Sequence, residues 1–385
     1  MGEMLKKNRS QFCILVCVLC FVTNIGQTPL LIDNFPTRNV IIPLWILFAA
    51  FCVCKNHTIS IGNTKVYWLL AAFFALYYLA GSLVIASYDA SDLPYTIFLS
   101  AFILGVGLLT GRSLTKEDIK PICTSVILSG TIVGVNVFVT YIYGNSLVGR
   151  IYSYSSKNSV SQILLTAWVL ILILKLKADV CILKKIFYLC SFILLTVTLV
   201  GLKSRASLIA IPIIFIWLIV HGKSDKKLRN IVLVILGIVV IYLLINPDFL
   251  EVLINEVILG GRESGNLNDV SSGRFDEWLS FFNDFNDKPF LGHGRMKRES
   301  LILTSLLEFG IIGGSFILLM ACWPLYWSLK FLGKYDEYYL MFSSVAIMYI
   351  ANSVFEQLAP FGPGVKCFFL WFLIGIRCTI QWNKT

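Results

Sequence analysis

Arg274 stands at the start of a helical pattern, in SSGRFDEWLSFFNDFNDKP, where a cation is out of place. A positive charge in a first turn opposes the helix dipole, whereas an arginine beside free N-terminal amides makes a receptor for phosphate. Pairing with its neighbours Asp276 and Glu277 is the alternative. Arg205 lies in GLKSRASL, a tight turn between two apolar runs with no acidic residue nearby in sequence. An arginine held near a membrane boundary without a local carboxylate usually binds something anionic. Arg150 and Lys157 form a further basic group in GRIYSYSSKNSVSQILL, where Asn158 and Ser159 open the next apolar run. Snorkelling at the membrane edge is the competing explanation for all these cations. The chain has no Walker-type glycine loop, no H-E-x-x-H, no EF-hand pattern and no D-x-D pair. Phosphate chemistry here would therefore use arginines and not a metal, and neither a metal nor a cofactor is expected.

The elements that must position these residues are set by composition. Of 385 residues, 57% are hydrophobic and 14% charged, and mean hydropathy is +0.79. That is too apolar for a soluble domain and long enough for many spans, so the fold class expected is all-α, a polytopic transmembrane bundle. The formal charge of +10 comes from short Lys and Arg clusters between apolar runs, the distribution of a topology signal; no nucleic-acid partner is expected. The eleven cysteines sit in or beside apolar runs, which argues against a disulfide framework. Cys17 and Cys20 read as packing, and the first apolar run has no A-x-A cleavage pattern, so it should remain as a span.

Apolar runs place about twelve spans at residues 11–26, 38–54, 66–86, 94–110, 121–142, 159–175, 186–202, 206–221, 230–246, 301–327, 338–354 and 365–381. Alternate connections then carry 20 of the 32 Lys and Arg, which puts both termini and that side in the cytoplasm. The opposite face receives Arg150 with Lys157, Lys203 with Arg205, and one long loop. Three regions follow: 1–246 with nine spans, the extracytoplasmic loop 247–300, and 301–385 with three more. Between Asn246 and Ser300 that loop has ten acidic and six basic residues, a mixed surface. Within it Phe275, Trp278, Leu279, Phe282 and Phe285 recur at helical spacing opposite Asp276, Glu277, Asn283, Asp284 and Asp287, an amphipathic helix capped by Ser271 to Gly273 and ended by Pro289. Leu301–Trp327 is long for a span, so its first turns should project and Glu308 is either interfacial or an intramembrane acid; Gly310, Gly313 and Gly314 are explained by close helix contact.

The stretch SGRFDEWLSFFNDFNDKPFLGHG, followed by LLEFGIIGG, resembles the shared signature of bacterial O-antigen polymerases and O-antigen ligases. LKSRASL and GRIYSYSSKNSVSQILL resemble two further segments of that family, in the same order. The resemblance implies glycan transfer from undecaprenyl diphosphate at the outer face of the bacterial inner membrane. It assigns Arg205 and Arg274 to the diphosphate, with Arg150 as a third candidate. The partners it implies are an undecaprenyl-diphosphate-linked oligosaccharide, membrane lipid and a chain-length regulator protein.

Ligases of the family carry a histidine where this chain has Glu299 and Ser300. Glu299 as general base then fits a polymerase, with pairing to Arg295 or Arg298 as the alternative, while His293 keeps the ligase reading open. The expectation is a surface-polysaccharide polymerase, with a ligase or a lipid-linked oligosaccharide flippase as the rival. The site residues expected are Glu299, Arg205 and Arg274 for catalysis, Arg150 for binding, and His293, Glu308 and Asn158 in supporting places.

Overall fold

A computed structural model of the chain describes residues 2–32, 37–55, 61–83, 88, 91–143, 157–177, 181–221, parts of 230–255, 274–332, 338–362 and 364–380. The protein is an all-α membrane bundle. Its principal helices are α1 (Gly2–Ile25), α2 (Thr37–Lys55), α3 (Lys65–Ser82), α4 (Leu93–Gly111), α5 (Ile119–Val137), α6 (Lys157–Lys177), α7 (Ile182–Gly201), α8 (Arg205–His221), α9 (Arg274–Asp287), α10 (Leu301–Trp327), α11 (Tyr339–Ser353) and α12 (Phe368–Thr379). Among the described residues six helical stretches are long and apolar enough to cross a membrane, and four shorter apolar helices accompany them. The span expected at 230–246 is described only in part, and its described residues up to Ile245 are helical.

Small residues let the central helices touch backbone to backbone. A Cβ on Gly107 of α4 would sit 2.4 Å from the Phe372 carbonyl oxygen, and one on Gly375 of α12 would sit 2.4 Å from that of Leu104. Lipid offers no hydrophobic drive between helices, so such close contact supplies the packing energy. Trp45 of α2 meets Phe368 and Phe372 edge-on at 5.6 and 4.9 Å, and its indole N–H donates to Thr23 of α1 at 2.9 Å.

Polar contacts gather at two ends. Because α4 runs from Leu93 to Gly111, Asp92 and Arg112 mark opposite ends of the bundle. At the Arg112 end Arg9 pairs with Asp118 at 3.4 Å, and the Tyr338 hydroxyl donates to the Lys116 carbonyl at 3.1 Å. At the Asp92 end Lys297 pairs with Asp92 at 2.5 Å and Arg298 with Asp284 at 2.7 Å.

Helix α10 departs from the sequence reading. It is two helical pieces meeting at Gly310, whose φ is 63° and ψ −172°. The Leu307 and Glu308 carbonyls accept from the backbone N–H groups of His293 at 2.8 Å and Gly294 at 3.0 Å, while the Ile311 N–H donates to the Pro289 carbonyl at 2.7 Å. The PFLGHG segment is thus docked into a break in a span and satisfies the backbone groups the break exposes, as a low-dielectric setting demands. Gly310 is therefore a backbone necessity and not a packing glycine: its Cβ would fall 2.3 Å from the Phe290 carbonyl oxygen. Gly313 keeps the expected contact role, lying against the Tyr77 ring. Tyr77 donates to the Phe309 carbonyl at 2.6 Å, and Tyr88 donates to that of Leu291. Burial pushes the Tyr88 hydroxyl pKa up, so it stays a donor.

Helix α9 forms where expected, with a different buried face. Phe281 is 8% exposed and packs on Leu303 and Leu307 of α10, with Phe285 and Met296 alongside. Phe275, Trp278, Leu279 and Phe282 are exposed instead. Of the expected stripe only Phe285 packs on protein, and Phe281, one helical turn before it, takes the buried place.

Candidate functional site

The break at Gly310 fixes the chain that carries the polar residues. From Gly294 the backbone runs outward through Arg295, Lys297, Arg298 and Glu299 before α10 begins at Leu301. Thr304 pins this turn, its hydroxyl donating to the Arg298 carbonyl at 2.9 Å and accepting from the Arg298 N–H at 3.1 Å. The Glu277 carboxylate of α9 accepts the Glu299 N–H at 3.2 Å. The result is a cavity of about 260 Å³ lined by Asn158, Glu277, Lys297, Arg298, Glu299, Phe355, Glu356 and Gln357.

Two of the residues expected from sequence, Glu299 and Asn158, meet at this cavity. Arg205 opens α8 at the same end and is half-buried. It follows a tight turn in which Lys203 adopts a φ of 50°. Ser204 and Ser207 flank the arginine and both reach Ser161 of α6, at 3.0 and 2.6 Å. Ser161 in turn donates to the Asn158 carbonyl at 2.7 Å. The Arg205 turn is thereby tied, one helical turn away, to the residue that lines the cavity.

Arg274 is the first residue of α9, one turn before Glu277, and its side chain lies outside the described residues. Arg150 lies outside them altogether. His293 does not line the cavity. Its Nε2 is 2.6 Å from the Asp284 carbonyl oxygen, which can only accept, so this nitrogen carries the hydrogen and the ring fastens α9 to the docked segment. Arg295 is exposed, and Arg298 pairs with Asp284, so the arginine–carboxylate pairing considered for Glu299 goes to α9 for Arg298.

Glu308 is fully buried and stands behind the site. Its Oε2 accepts from the Ser91 hydroxyl at 2.5 Å, and the Met296 N–H is directed at the same carboxylate. It therefore joins the loop before α4 to the turn carrying Lys297 and Arg298. Glu308→Ala is expected to cost about 1–3 kcal/mol, because the donors around it would stay buried and unmatched. Glu308→Gln should cost less; thermal unfolding in detergent compares the two, and equal melting temperatures for both variants and wild type would refute the clamp.

Sequence reasoning missed Glu277 as a site residue, together with Phe355, Glu356 and Gln357. Glu277 read as a helix-start acid, and the other three fall between the expected spans 338–354 and 365–381. Among the described residues no group of three or more His, Cys, Asp or Glu side chains is placed to hold a metal ion.

Fold and site together define a polytopic helical membrane protein with a polar cavity at one end of the bundle. Residues 190–303 match the family described as O-antigen ligase, which indicates a carbohydrate-active enzyme domain. The matched segment runs from the middle of α7 into α10 and contains Arg205, Arg274, His293 and Glu299. No curated protein matches the chain. The match overturns the polymerase expectation and favours the ligase alternative. That expectation rested on one absent imidazole, and the two reactions share donor and bond chemistry, differing only in which hydroxyl attacks. A base identity therefore could not separate them.

Proposed function

We propose that the protein is an O-antigen ligase type of glycosyltransferase, moving a glycan from undecaprenyl diphosphate onto a hydroxyl of a second acceptor such as lipid A core. In this reading the chain has about twelve spans, grouped as 1–246 and 301–385 around an extracytoplasmic loop at 247–300, with both termini cytoplasmic in a bacterial inner membrane. The acceptor oxygen attacks the anomeric carbon as its bond to the diphosphate oxygen breaks. The acceptor proton passes to the Glu299 carboxylate, and the charge released on the diphosphate is met by Arg205 and Arg274, with Arg150 as a further cation.

The observation that carries this reading is the family match over 190–303, the segment that holds both arginines and Glu299. The shared cavity of Glu299 and Asn158, at the end of the bundle where Arg205 opens α8, agrees with it. Purified protein in nanodiscs, given the lipid-linked glycan, should release undecaprenyl diphosphate and form product only when a second acceptor lipid is supplied. A ladder of lengthened lipid-linked chains from donor alone would reject the reading. Glu299→Gln should lower the transfer rate about 10²-fold with donor binding retained; a wild-type rate would remove Glu299 from the mechanism.

A further inference from the structure

The cavity is not built for a diphosphate. Of its two cations, Lys297 is engaged by Asp92 at 2.5 Å and Arg298 by Asp284 at 2.7 Å, both partners lying outside the cavity wall. The wall itself carries three carboxylates, those of Glu277, Glu299 and Glu356. Hydroxyls, which both donate and accept, match a lining of this mixed kind.

Two further features point to the same ligand. Arg298 Nε and Gln357 Nε2 are buried donors with no hydrogen-bond partner in the protein, and both residues line the cavity. Buried donors of this kind are uncommon and call for an acceptor atom from elsewhere. Phe355 adds an apolar face beside them, suited to the C–H side of a pyranose ring. The volume of about 260 Å³ lies just under the roughly 300–1,000 Å³ of pockets that take drug-sized ligands, which fits one sugar ring and not an oligosaccharide.

We propose that this cavity is the acceptor subsite: it holds the terminal sugar of the acceptor against Phe355, with Arg298 and Gln357 donating to its oxygens and the carboxylates accepting from its hydroxyls. Phe355, Glu356 and Gln357 lie beyond the matched segment 190–303, so the turn after α11 sets which acceptor is used while the matched segment supplies the transfer chemistry. The inference rests on the transferase reading given above.

The test uses the full-length protein in nanodiscs, with initial rates measured against acceptor glycolipid at fixed donor and against donor at fixed acceptor. Phe355→Ala and Gln357→Ala should each raise the acceptor KM roughly tenfold, a loss of the size expected for one good contact. Donor KM should stay as in the wild type. Gln357→Glu, which keeps the side-chain size and removes the donor, should act like Gln357→Ala, and thermal unfolding checks that each variant is folded. An unchanged acceptor KM in all three folded variants, or a rise in donor KM instead, would overturn the subsite. Saturation-transfer NMR with the delipidated acceptor oligosaccharide reads the same contact without turnover. If the wild type transfers glycan to no hydroxyl acceptor, the transferase reading fails. The subsite is then judged alone, upheld if the saturation signal is lost in the variants and refuted if it persists.

Discussion

Gly310→Ala is expected to destabilise the cavity end of the bundle by about 3–5 kcal/mol, the sum of a backbone held where only glycine is comfortable and of hydrogen bonds lost around it. At φ 63° and ψ −172° an alanine Cβ would sit 2.3 Å from the Phe290 carbonyl oxygen and 2.4 Å from its carbon. Backbone cannot swing aside as a side-chain tip can, so the 289–294 segment would have to leave the break. With it would go the bonds from His293 and Gly294 to the Leu307 and Glu308 carbonyls, and that from Ile311 to Pro289. The carbonyls would then be unsatisfied inside a span, which lipid does not forgive. A large fall in melting temperature in detergent should be joined by faster tryptic cleavage at Lys288, Arg295, Lys297 and Arg298. Gly105→Ala is the control, since its Cβ would meet only the Trp68 ring, at 3.7 Å and beyond. A Gly310→Ala protein that melts with the wild type would show that the break is not needed.

The sequence made some of this arrangement legible and concealed the rest for physical reasons. Apolar run lengths gave the membrane class, and the Asn158–Ser159 and Ser271–Gly273 signals gave helix starts that stand within three residues of those of α6 and α9. Charge placement put Arg205, Asn158 and Glu299 on one set of connections, and these do gather at one end. What could not be read was the break in α10. LLEFGIIGG is continuous in hydrophobicity, and its interruption exists only because PFLGHG, some twenty residues upstream, supplies the missing donors and acceptor. Glu308 stayed ambiguous for the same reason, since its partners Ser91 and the Met296 N–H are distant in sequence or in backbone. The buried face of α9 was mistaken because Phe281 and Phe282 are adjacent and chemically identical. Glu356 and Gln357 carry no local signal; they matter only because the end of α11 stands beside the start of α6 and the turn at 297–299.

Arg205→Ala should leave the bundle folded and reduce glycan transfer about 10³-fold, at the upper end of what removing one positioned charge-stabilising group from a partly dehydrated site costs. The residue is well placed for such a role. It opens α8 beside a serine cluster that ties the turn to α6, which fixes the backbone that carries it. Arg205→Lys should recover only part of the rate, because an ammonium cannot grip two phosphate oxygens at once as a guanidinium does. A purely structural arginine would behave differently, its loss lowering the melting temperature and the yield of folded protein in step with activity. The combination with Arg274→Ala gives the sharper result. Two cations that serve one diphosphate act as a unit, so the double variant should lose less than the product of the single losses. Multiplicative losses would mean that the two arginines act on separate groups, and a folded Arg205→Ala enzyme with wild-type transfer would take the residue out of the diphosphate site.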